Sequence, residues 1–294
     1  MKAVERGVML LCCRLADPDA KPMTLAQFRE LSRRANTLGA SADDTLRAVK
    51  EADIMRLGYD AEQAERIVGL LNREDLLDQY LSGMEHAGIT ALTRISERYP
   101  AVLAKKLGLS CPPVLFAKGD LSLLRYRAVS VVGSRRLMPE GADFARTAGR
   151  LIAQEGFALC SGGAEGADSI ARQATLQNGG YAVIYTPLEL WKCRPEERTL
   201  YLSEDGFELP FTAQRALSRN RLIHATGEKV LVAQVRNGVG GTWSGTAENL
   251  RRGYSPVFVH DDGSEGAQAL MARGASGVRE LTSVSALESS QLHF

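Results

Sequence analysis

The sequence predicts an α/β protein in which a doubly wound, mainly parallel sheet follows a small all-helical domain. Up to about residue 110, apolar residues recur at the three- and four-residue spacing of helices. From Pro112 onward, short apolar runs alternate with amphipathic segments, which is typical of parallel strands covered by helices on both faces. We therefore expect a helical domain over residues 1–110 and a sheet-containing domain over residues 111–294.

The first 110 residues are predicted to be helical throughout. Their apolar periodicity is interrupted by glycines and by residues that commonly cap helices. The predicted segments are the stretch after Met1, residues 25–39 capped by Thr24, residues 42–58 capped by Ser41, residues 61–88, and residues 89–108 broken at Pro100. Arg14 interrupts the first apolar stretch, so we expect a first helix there and not a signal peptide.

The remainder alternates between strand-like and helix-like patterns. The predicted strands are residues 114–118, 128–134, 157–162, 181–186, 229–235 and 256–260. Residues 139–154 and 165–177 are predicted helices between them. Ligands of such sheets bind at the carboxyl ends of the strands, so the loops at those ends are the candidate functional segments.

Composition excludes several classes of protein. A net charge of +1 and an apolar fraction of 45% are ordinary for a globular protein, and no apolar run is long enough for a membrane span. Neither the histidines nor the cysteines have metal-ligand or catalytic-triad spacing, so no metal, cofactor or catalytic residue is predicted. A reducing cytoplasm is the expected compartment. The five scattered cysteines are Cys12, Cys13, Cys111, Cys160 and Cys193.

Two glycine-containing loops follow predicted strands and suit an anionic ligand. Glycine allows close backbone approach, guanidinium groups bind phosphate, and amides at a helix N-terminus favour negative charge. The first loop comprises Gly133, Ser134, Arg135 and Arg136. The second comprises Ser161, Gly162, Gly163, Gly166 and Asp168, of which Asp168 is a candidate to stiffen the loop.

Two further segments complete the candidate site. Arg219, Asn220 and Arg221 precede an apolar helical stretch, and Gly241 and Thr242 lie in a loop that follows the strand at 229–235. Because residues two positions apart on a helix do not share a face, we expect one arginine to meet the ligand. The other arginine, or Asn220, would then brace a loop. Four strand-end loops with phosphate-compatible chemistry together predict a binding crevice.

In this order, the motifs resemble those of the DprA (Smf) family of DNA-processing proteins. Members have a G-S-R turn, then S-G-x-A-x-G-x-D, then R-N-R, then a Gly/Ser/Thr loop entering a helix. Residues 99–103, 112–120 and 266–275 are also similar, so the resemblance spans roughly residues 85–280. The phosphate contacts that it implies are Gly133, Ser134, Arg135, Ser161, Gly162, Gly166, Arg219 and Arg221.

The resemblance also implies a fold and a function. The fold is an extended Rossmann-like domain, here residues 111–294. The function is single-stranded DNA binding in a positively charged pocket by a homodimer that protects incoming DNA. It assists loading of the RecA recombinase during recombination and natural transformation, and no catalysis is implied.

The chain departs from the family pattern at several places. Glu165 stands where members usually have arginine, and Arg172 where they have histidine. Residues 187–192 replace a usual Gly- and Tyr-Pro-containing segment, and the winged-helix tail of many members is not expected. Two readings remain open. Glu165 either weakens the pocket for phosphate, or it complements the helix N-terminus while Arg172 pairs with Asp168.

The alternative function is nucleotide binding or N-glycosidic hydrolysis. Residues 240–248 loosely resemble the P-G-G-x-G-T-x-x-E motif of nucleotide hydrolases, with Glu248 as the catalytic candidate. The motif is stretched by two residues and lacks its proline, so a surface position for Glu248 is the simpler expectation. A nicotinamide-dependent enzyme is disfavoured, because no G-x-G-x-x-G follows the strand at 128–134.

Overall fold

A computed structural model describes residues 1–37 and 49–288. Within them, one nine-stranded sheet has the order β1-β2-β6-β5-β4-β3-β7-β8-β9. The strands β1 and β2 are antiparallel to their neighbours and all other pairs are parallel. The strands are β1 (Ile89–Thr93), β2 (Val114–Gly119), β3 (Ala128–Val132), β4 (Ala158–Ser161), β5 (Tyr181–Tyr185), β6 (Thr199–Ser203), β7 (Val230–Val232), β8 (Val257–His260) and β9 (Ser276–Val278).

The α-helices fall into two groups, one ahead of the sheet and one wound around it. The first group is α1 (Ala3–Cys12), α2 (Leu25–Thr37), α3 (Glu51–Arg56), α4 (Ala61–Leu71) and α5 (Glu74–His86). The second is α6 (Ala101–Leu107), α7 (Pro139–Gln154), α8 (Ala167–Gln177), α9 (Ala213–Ser218), α10 (Asn220–Thr226), α11 (Gly240–Arg252) and α12 (Glu265–Met271). None of these helices is long and apolar enough to cross a membrane.

The predicted fold class is confirmed, and so are all six predicted strands and both predicted helices. Thr24 caps α2, because its hydroxyl accepts a hydrogen bond of 3.2 Å from the amide of Gln27. The single helix predicted over residues 61–88 is wrong, because α4 ends at Leu71 and α5 begins at Glu74. The Ser41 cap and the Gly39 end lie outside the described residues.

Residues 89–93, predicted as helical, form the edge strand β1, which pairs with β2 from Ile89↔Lys118 to Thr93↔Val114. The helical periodicity of the preceding segment was extended too far, since strand formation here depends on a partner more than twenty residues away. The division at residue 110 remains a proposal, and the place of β1 in the sheet favours a boundary closer to Gly88.

Alternate strand residues enter two different cores, which explains why these strands are apolar on both faces. One face, with Val129, Val131 and Leu159, is covered by α7 and α8. The other, with Val132 and Val232, is covered by α6, α10 and α12. Helices on both faces make the sheet doubly wound.

The third core joins the N-terminal helices to the sheet. It contains fully buried residues of α1, α4 and α5, such as Leu10 and Leu77, together with Val114 and Phe116 of β2. The N-terminal helices therefore cover β1 and β2, at one end of the sheet.

The strand order changes direction at β3. From β3 the chain proceeds outward through β4, β5 and β6 on one side, and through β7, β8 and β9 on the other. Loops that leave two adjacent strands in opposite directions open a crevice at the carboxyl ends of those strands. The predicted site loops follow β3, β4 and β7 at this point.

Candidate functional site

The strand-end crevice is formed by four segments that meet beside the carboxyl ends of β3, β4, β5 and β7. These segments are residues 133–136, 161–168, 219–221 and 240–242. Hydrogen bonds connect these segments to one another. The structure therefore brings the four predicted motifs together at one place.

The loop after β3 is attached to the loop after β7 and to the first turn of α11. The amide and hydroxyl of Ser134 donate to the carbonyl oxygen of Gln234 at 2.9 and 3.2 Å. Thr242 Oγ1 donates to the carbonyl of Gly133 at 2.8 Å. A Cβ at Gly133 would lie 2.5 Å from that of Ala167, so this close approach requires glycine.

The loop after β4 is closed by its own carboxylate. Asp168 Oδ2 accepts hydrogen bonds from the amides of Gly162 at 3.1 Å and Ala164 at 3.3 Å. Burial raises the pKa of Asp168, while Arg219 and the hydrogen bonds of Ala164, Ser161 and Gly162 oppose the rise. Asp168 therefore stiffens this loop as predicted. The expectation that these amides are open to an external anion is wrong for Gly162 and Ala164.

Gly166 brings the two glycine loops into contact. Its φ of +85° lies in the region that favours glycine, and a Cβ there would lie 2.4 Å from the carbonyl oxygen of Ser134. Ser161 is buried, and its hydroxyl donates to the carbonyl of Val131 at 3.0 Å. Gly163 is exposed beside them.

Arg219 lies across the β4 loop. Its guanidinium covers Gly162 so closely that a Cβ at this glycine would lie 2.0 Å from Nη1. Nη1 donates to the carbonyl of Tyr185 at 2.5 Å, and the buried Nε has no hydrogen-bond partner. Burial lowers the pKa of Arg219, and the nearby carboxylate of Asp168 opposes this. The guanidinium is thus held by one backbone carbonyl and lies near one buried carboxylate, with its enclosed Nε unpaired.

Arg135 and Arg136 are exposed and form no ion pair with any described residue. Arg135 lies close enough to Arg219 for its charge to lower the pKa of Arg219. Arg135 therefore lies near Arg219, whose guanidinium lies near the buried carboxylate of Asp168. Glu165 is also exposed.

Arg221 points elsewhere. It forms a two-pronged ion pair with Glu204, and its Nη1 also donates to the carbonyl of Ser218 at 2.5 Å. Asn220 Nδ2 donates to the carbonyl of Gly241 at 3.1 Å. Of the two roles that the spacing left open, Arg219 therefore faces the crevice, whereas Arg221 and Asn220 brace its walls.

One of the two readings of the sequence paired Arg172 with Asp168, and this prediction is wrong. Arg172 forms an ion pair with Glu196 and donates to the hydroxyl of Tyr201 at 2.6 Å. Asp168 instead accepts hydrogen bonds from the amides of its own loop. The four-residue spacing of Asp168 and Arg172 on α8 therefore does not determine the partner of Asp168.

Sequence reasoning missed the residues that hold the crevice walls together. Gln234 accepts hydrogen bonds from Ser134 and from the amide of Met138. Glu204 forms an ion pair with Arg221. Arg215 donates to backbone carbonyls of the segment after β5. Gln234 had a usable signal, because it is the polar residue near the end of the apolar run at 229–235. Glu204 and Arg215 had none, since their partners are distant in sequence or are backbone carbonyls.

Glu248 does not reach the crevice. It lies six residues beyond Thr242 on α11, which is roughly 9 Å along the helix and about 240° around it. It lines an open hollow with Arg251 and Arg273, and its carboxylate accepts a weak hydrogen bond of 3.5 Å from Tyr254. This position gives no support to a catalytic role for Glu248 in the strand-end crevice.

Comparison with known proteins is consistent with this geometry. DNA processing protein DprA of Streptococcus pneumoniae is 33% identical over 184 residues, 56% of this chain and 62% of that protein. Protein Smf of Escherichia coli is 27% identical over 241 residues, 77% of this chain and 63% of that protein. The chain thus matches less than two thirds of the length of these relatives.

Solved structures show the same fold. An X-ray structure of S. pneumoniae DprA superposes with a TM-score of 0.71 at 24% identity, over 95% of each chain. DNA processing protein A from Helicobacter pylori, solved to describe its single-stranded DNA binding mode, gives a TM-score of 0.54 at 26% identity, over 66% of this chain and 92% of that one.

The family profile described as DNA recombination-mediator protein A matches residues 90–288. The match contains every motif of the crevice and covers more than half of the chain. The chain therefore belongs to the DNA recombination-mediator protein A family.

Proposed function

We propose that the strand-end crevice binds single-stranded DNA by its sugar–phosphate backbone. The observation that carries this proposal is the convergence of Arg135 and the incompletely satisfied Arg219 at the point where the strand order changes direction. The H. pylori relative, whose structure describes single-stranded DNA binding, supports the same ligand. Backbone contacts of this kind give sequence-tolerant, salt-sensitive binding.

We propose two roles for the predicted site residues. Arg135, Arg136, Arg219 and the exposed amide of Gly163 contact phosphate. The remaining residues shape and brace the crevice, namely Gly133, Ser134, Ser161, Gly162, Gly166, Asp168, Asn220, Arg221, Gly241 and Thr242. The exposed Glu165 lies at the rim of the crevice and weakens the attraction for phosphate without blocking entry.

The wider role follows from family membership. We propose that the protein acts in DNA processing during recombination or transformation, that it is a homodimer, and that it helps to load RecA. We also propose that it is a binding protein and not an enzyme, because no catalytic group is part of the crevice wall described above. Its reduced cysteines, four of them buried, favour the cytoplasm.

Binding of a fluorescent oligothymidine, measured by anisotropy as a function of salt, tests this proposal. Arg135→Ala should weaken binding at low salt and reduce the slope of log affinity against log salt by about one, because one phosphate contact is lost. Arg219→Lys should weaken binding further, since a point charge cannot reproduce the fork that lies over Gly162.

Arg127→Ala is the matched control. Arg127 is also exposed, but it lies at the amino end of β3, away from the crevice at the carboxyl end, and forms an ion pair with Glu228. It should leave affinity and salt slope unchanged. If Arg135→Ala and Arg219→Lys bind like the wild type while both remain folded, the crevice is not the DNA site.

A further inference from the structure

We propose that an apolar shelf beside the crevice, formed by Leu188, Phe211 and Leu217, binds the nucleobases of the strand whose phosphates contact Arg135 and Arg219. This inference rests on the proposed function and adds to it a second contact, made with the bases. The shelf belongs to the segment between β5 and α10, where the sequence departs from the family pattern.

The three side chains are unusually exposed for large apolar groups. Leu188 is 50% exposed, Phe211 48% and Leu217 47%. Single exposed apolar residues are common on protein surfaces, but a group of them beside a binding crevice marks a contact surface.

Arg215 brings together the backbone segments that carry Leu188 and Phe211. Its Nη1 donates to the carbonyls of Pro187 at 2.7 Å and Pro210 at 2.8 Å, the residues that directly precede the two shelf residues. Because both oxygens bind one nitrogen atom, the two backbone segments run within a few ångströms of each other. The same guanidinium donates to Leu209, Asp205 and Ser203.

The shelf borders the phosphate-binding side of the crevice at two points. Leu217 packs against Gly241, where a Cβ would lie 3.5 Å from Leu217 Cδ2. Arg219 follows two residues later and donates to the carbonyl of Tyr185, three residues before Leu188. The segments that carry the shelf residues thus adjoin the segments that carry Arg219 and Gly241.

This juxtaposition matches the chemistry of a single strand and not that of a duplex. A single strand presents charged phosphates along one side and unpaired, apolar base faces along the other, and aromatic side chains stack on such faces regardless of sequence. In a duplex the base faces are already stacked on one another. The shelf therefore gives the crevice a preference for unpaired strands that the arginines alone do not provide.

The test compares oligothymidine with an abasic oligomer of equal length, which has the same number of phosphates and no bases. The wild type should bind oligothymidine at least about fivefold more tightly than the abasic strand. Phe211→Ala and Leu188→Ala should bring this ratio close to one and leave the salt slope unchanged. Arg135→Ala should weaken binding of both oligomers and keep the ratio.

Two further variants make the result specific. Arg215→Lys, which keeps the charge but loses the carbonyl contacts, should lower the ratio as Phe211→Ala does. Tyr126→Ala removes an aromatic side chain that is 41% exposed at the opposite edge of the sheet, and should change nothing. Circular dichroism confirms that each variant is folded.

The possible failures are distinguishable. Equal affinity of the wild type for both oligomers, or an unchanged ratio in Phe211→Ala, overturns the shelf and leaves the crevice as a phosphate site. Absence of binding to either oligomer overturns the proposed function as well. Capture of a protein by the shelf without any base-dependent binding identifies it as a protein contact and also overturns the inference.

Discussion

His224 is a fully buried histidine on α10 whose Nδ1 has no hydrogen-bond partner. Burial lowers the pKa of His224 from 6.5 to about 4. Between these values the unfolded chain binds a proton that the folded protein does not, so stability rises with pH across this window and is lost as the pH falls.

We therefore predict that the free energy of unfolding falls between about pH 7 and pH 5, with roughly 2 kcal/mol of the loss due to His224. Urea titrations at both pH values measure it, with His224→Leu as the comparison. That variant should lose about 2 kcal/mol less on acidification. Equal losses in the two proteins would show that another group is responsible.

Single residues were predicted well where chemistry is local and poorly where partners are distant. The glycines at the strand ends were predicted to admit a ligand, and at Gly133, Gly162 and Gly166 the structure shows close approach of the protein's own atoms. The group that approaches Gly162 is a guanidinium from fifty-seven positions later in the chain, which no local pattern specifies. The same limit explains the missed pairing of Arg172 with Glu196.

At the scale of elements, α7 and α8 approach each other unusually closely. A Cβ at Gly149 on α7 would lie 2.2 Å from the carbonyl oxygen of Ala171 and 3.0 Å from Ala174 Cβ on α8. Thr175 Oγ1 donates to the carbonyl of Gly149 at 3.0 Å across this contact. Small residues allow the contact, and α8 in turn begins at the crevice loop.

Gly149→Ala should destabilise the protein by at least about 2 kcal/mol, because the two helices must separate to admit the methyl group. Gly69→Ala is the matched control on α4, where nothing lies within 4 Å of the added Cβ. There the same change should add roughly 0.5–1 kcal/mol by favouring the helix. Thermal unfolding measures both variants; a neutral Gly149→Ala would contradict the close contact.

Elements with a strong internal pattern were predicted, and short strands without one were not. The helices α7 and α8 have clear amphipathic periodicity, and β3 and β7 are continuous apolar runs. The strand β6 alternates polar and apolar residues without a continuous apolar run, and β9 is only Ser-Gly-Val, so their strand state comes from pairing with β5 and β8. Antiparallel pairing of β1 with β2 likewise depends on contacts between segments distant in sequence.

At the scale of the whole molecule, the N-terminal helices and the sheet share a core. Val114 and Phe116 of β2 are buried in the same cluster as Leu77 of α5, and Tyr80 of α5 donates to Glu208 at 2.8 Å. We therefore expect the two parts to unfold together, although the sequence divides them at residue 110.

Leu77→Ala should destabilise the protein by about 2–5 kcal/mol, since Leu77 is fully buried. Both tryptophans, Trp191 and Trp243, lie in the sheet-containing part. In Leu77→Ala, the urea midpoint of the tryptophan fluorescence transition should fall by the same amount as the midpoint of the far-ultraviolet dichroism transition. The exposed Leu109→Ala should shift neither. A dichroism shift without a fluorescence shift would mean that the parts unfold independently.

The global pattern of the sequence was sufficient for the fold class and for the location of the crevice. Alternation of strands and helices implies a doubly wound sheet, and such a sheet implies a site at its carboxyl edge. The strand order and the attachment of the helical part through β2 were not predictable, because they depend on which surfaces bury one another.

The inward carboxylate of Asp168 has a consequence for how a polyanion is received. With the amides of Gly162 and Ala164 already satisfied, the turn has its final shape before any ligand arrives, and no segment of it must be ordered at that moment. The buried carboxylate weakens the electrostatic attraction between the arginines and a polyanion. Because it fixes the shape of the turn in advance, it also lowers the entropic cost of binding.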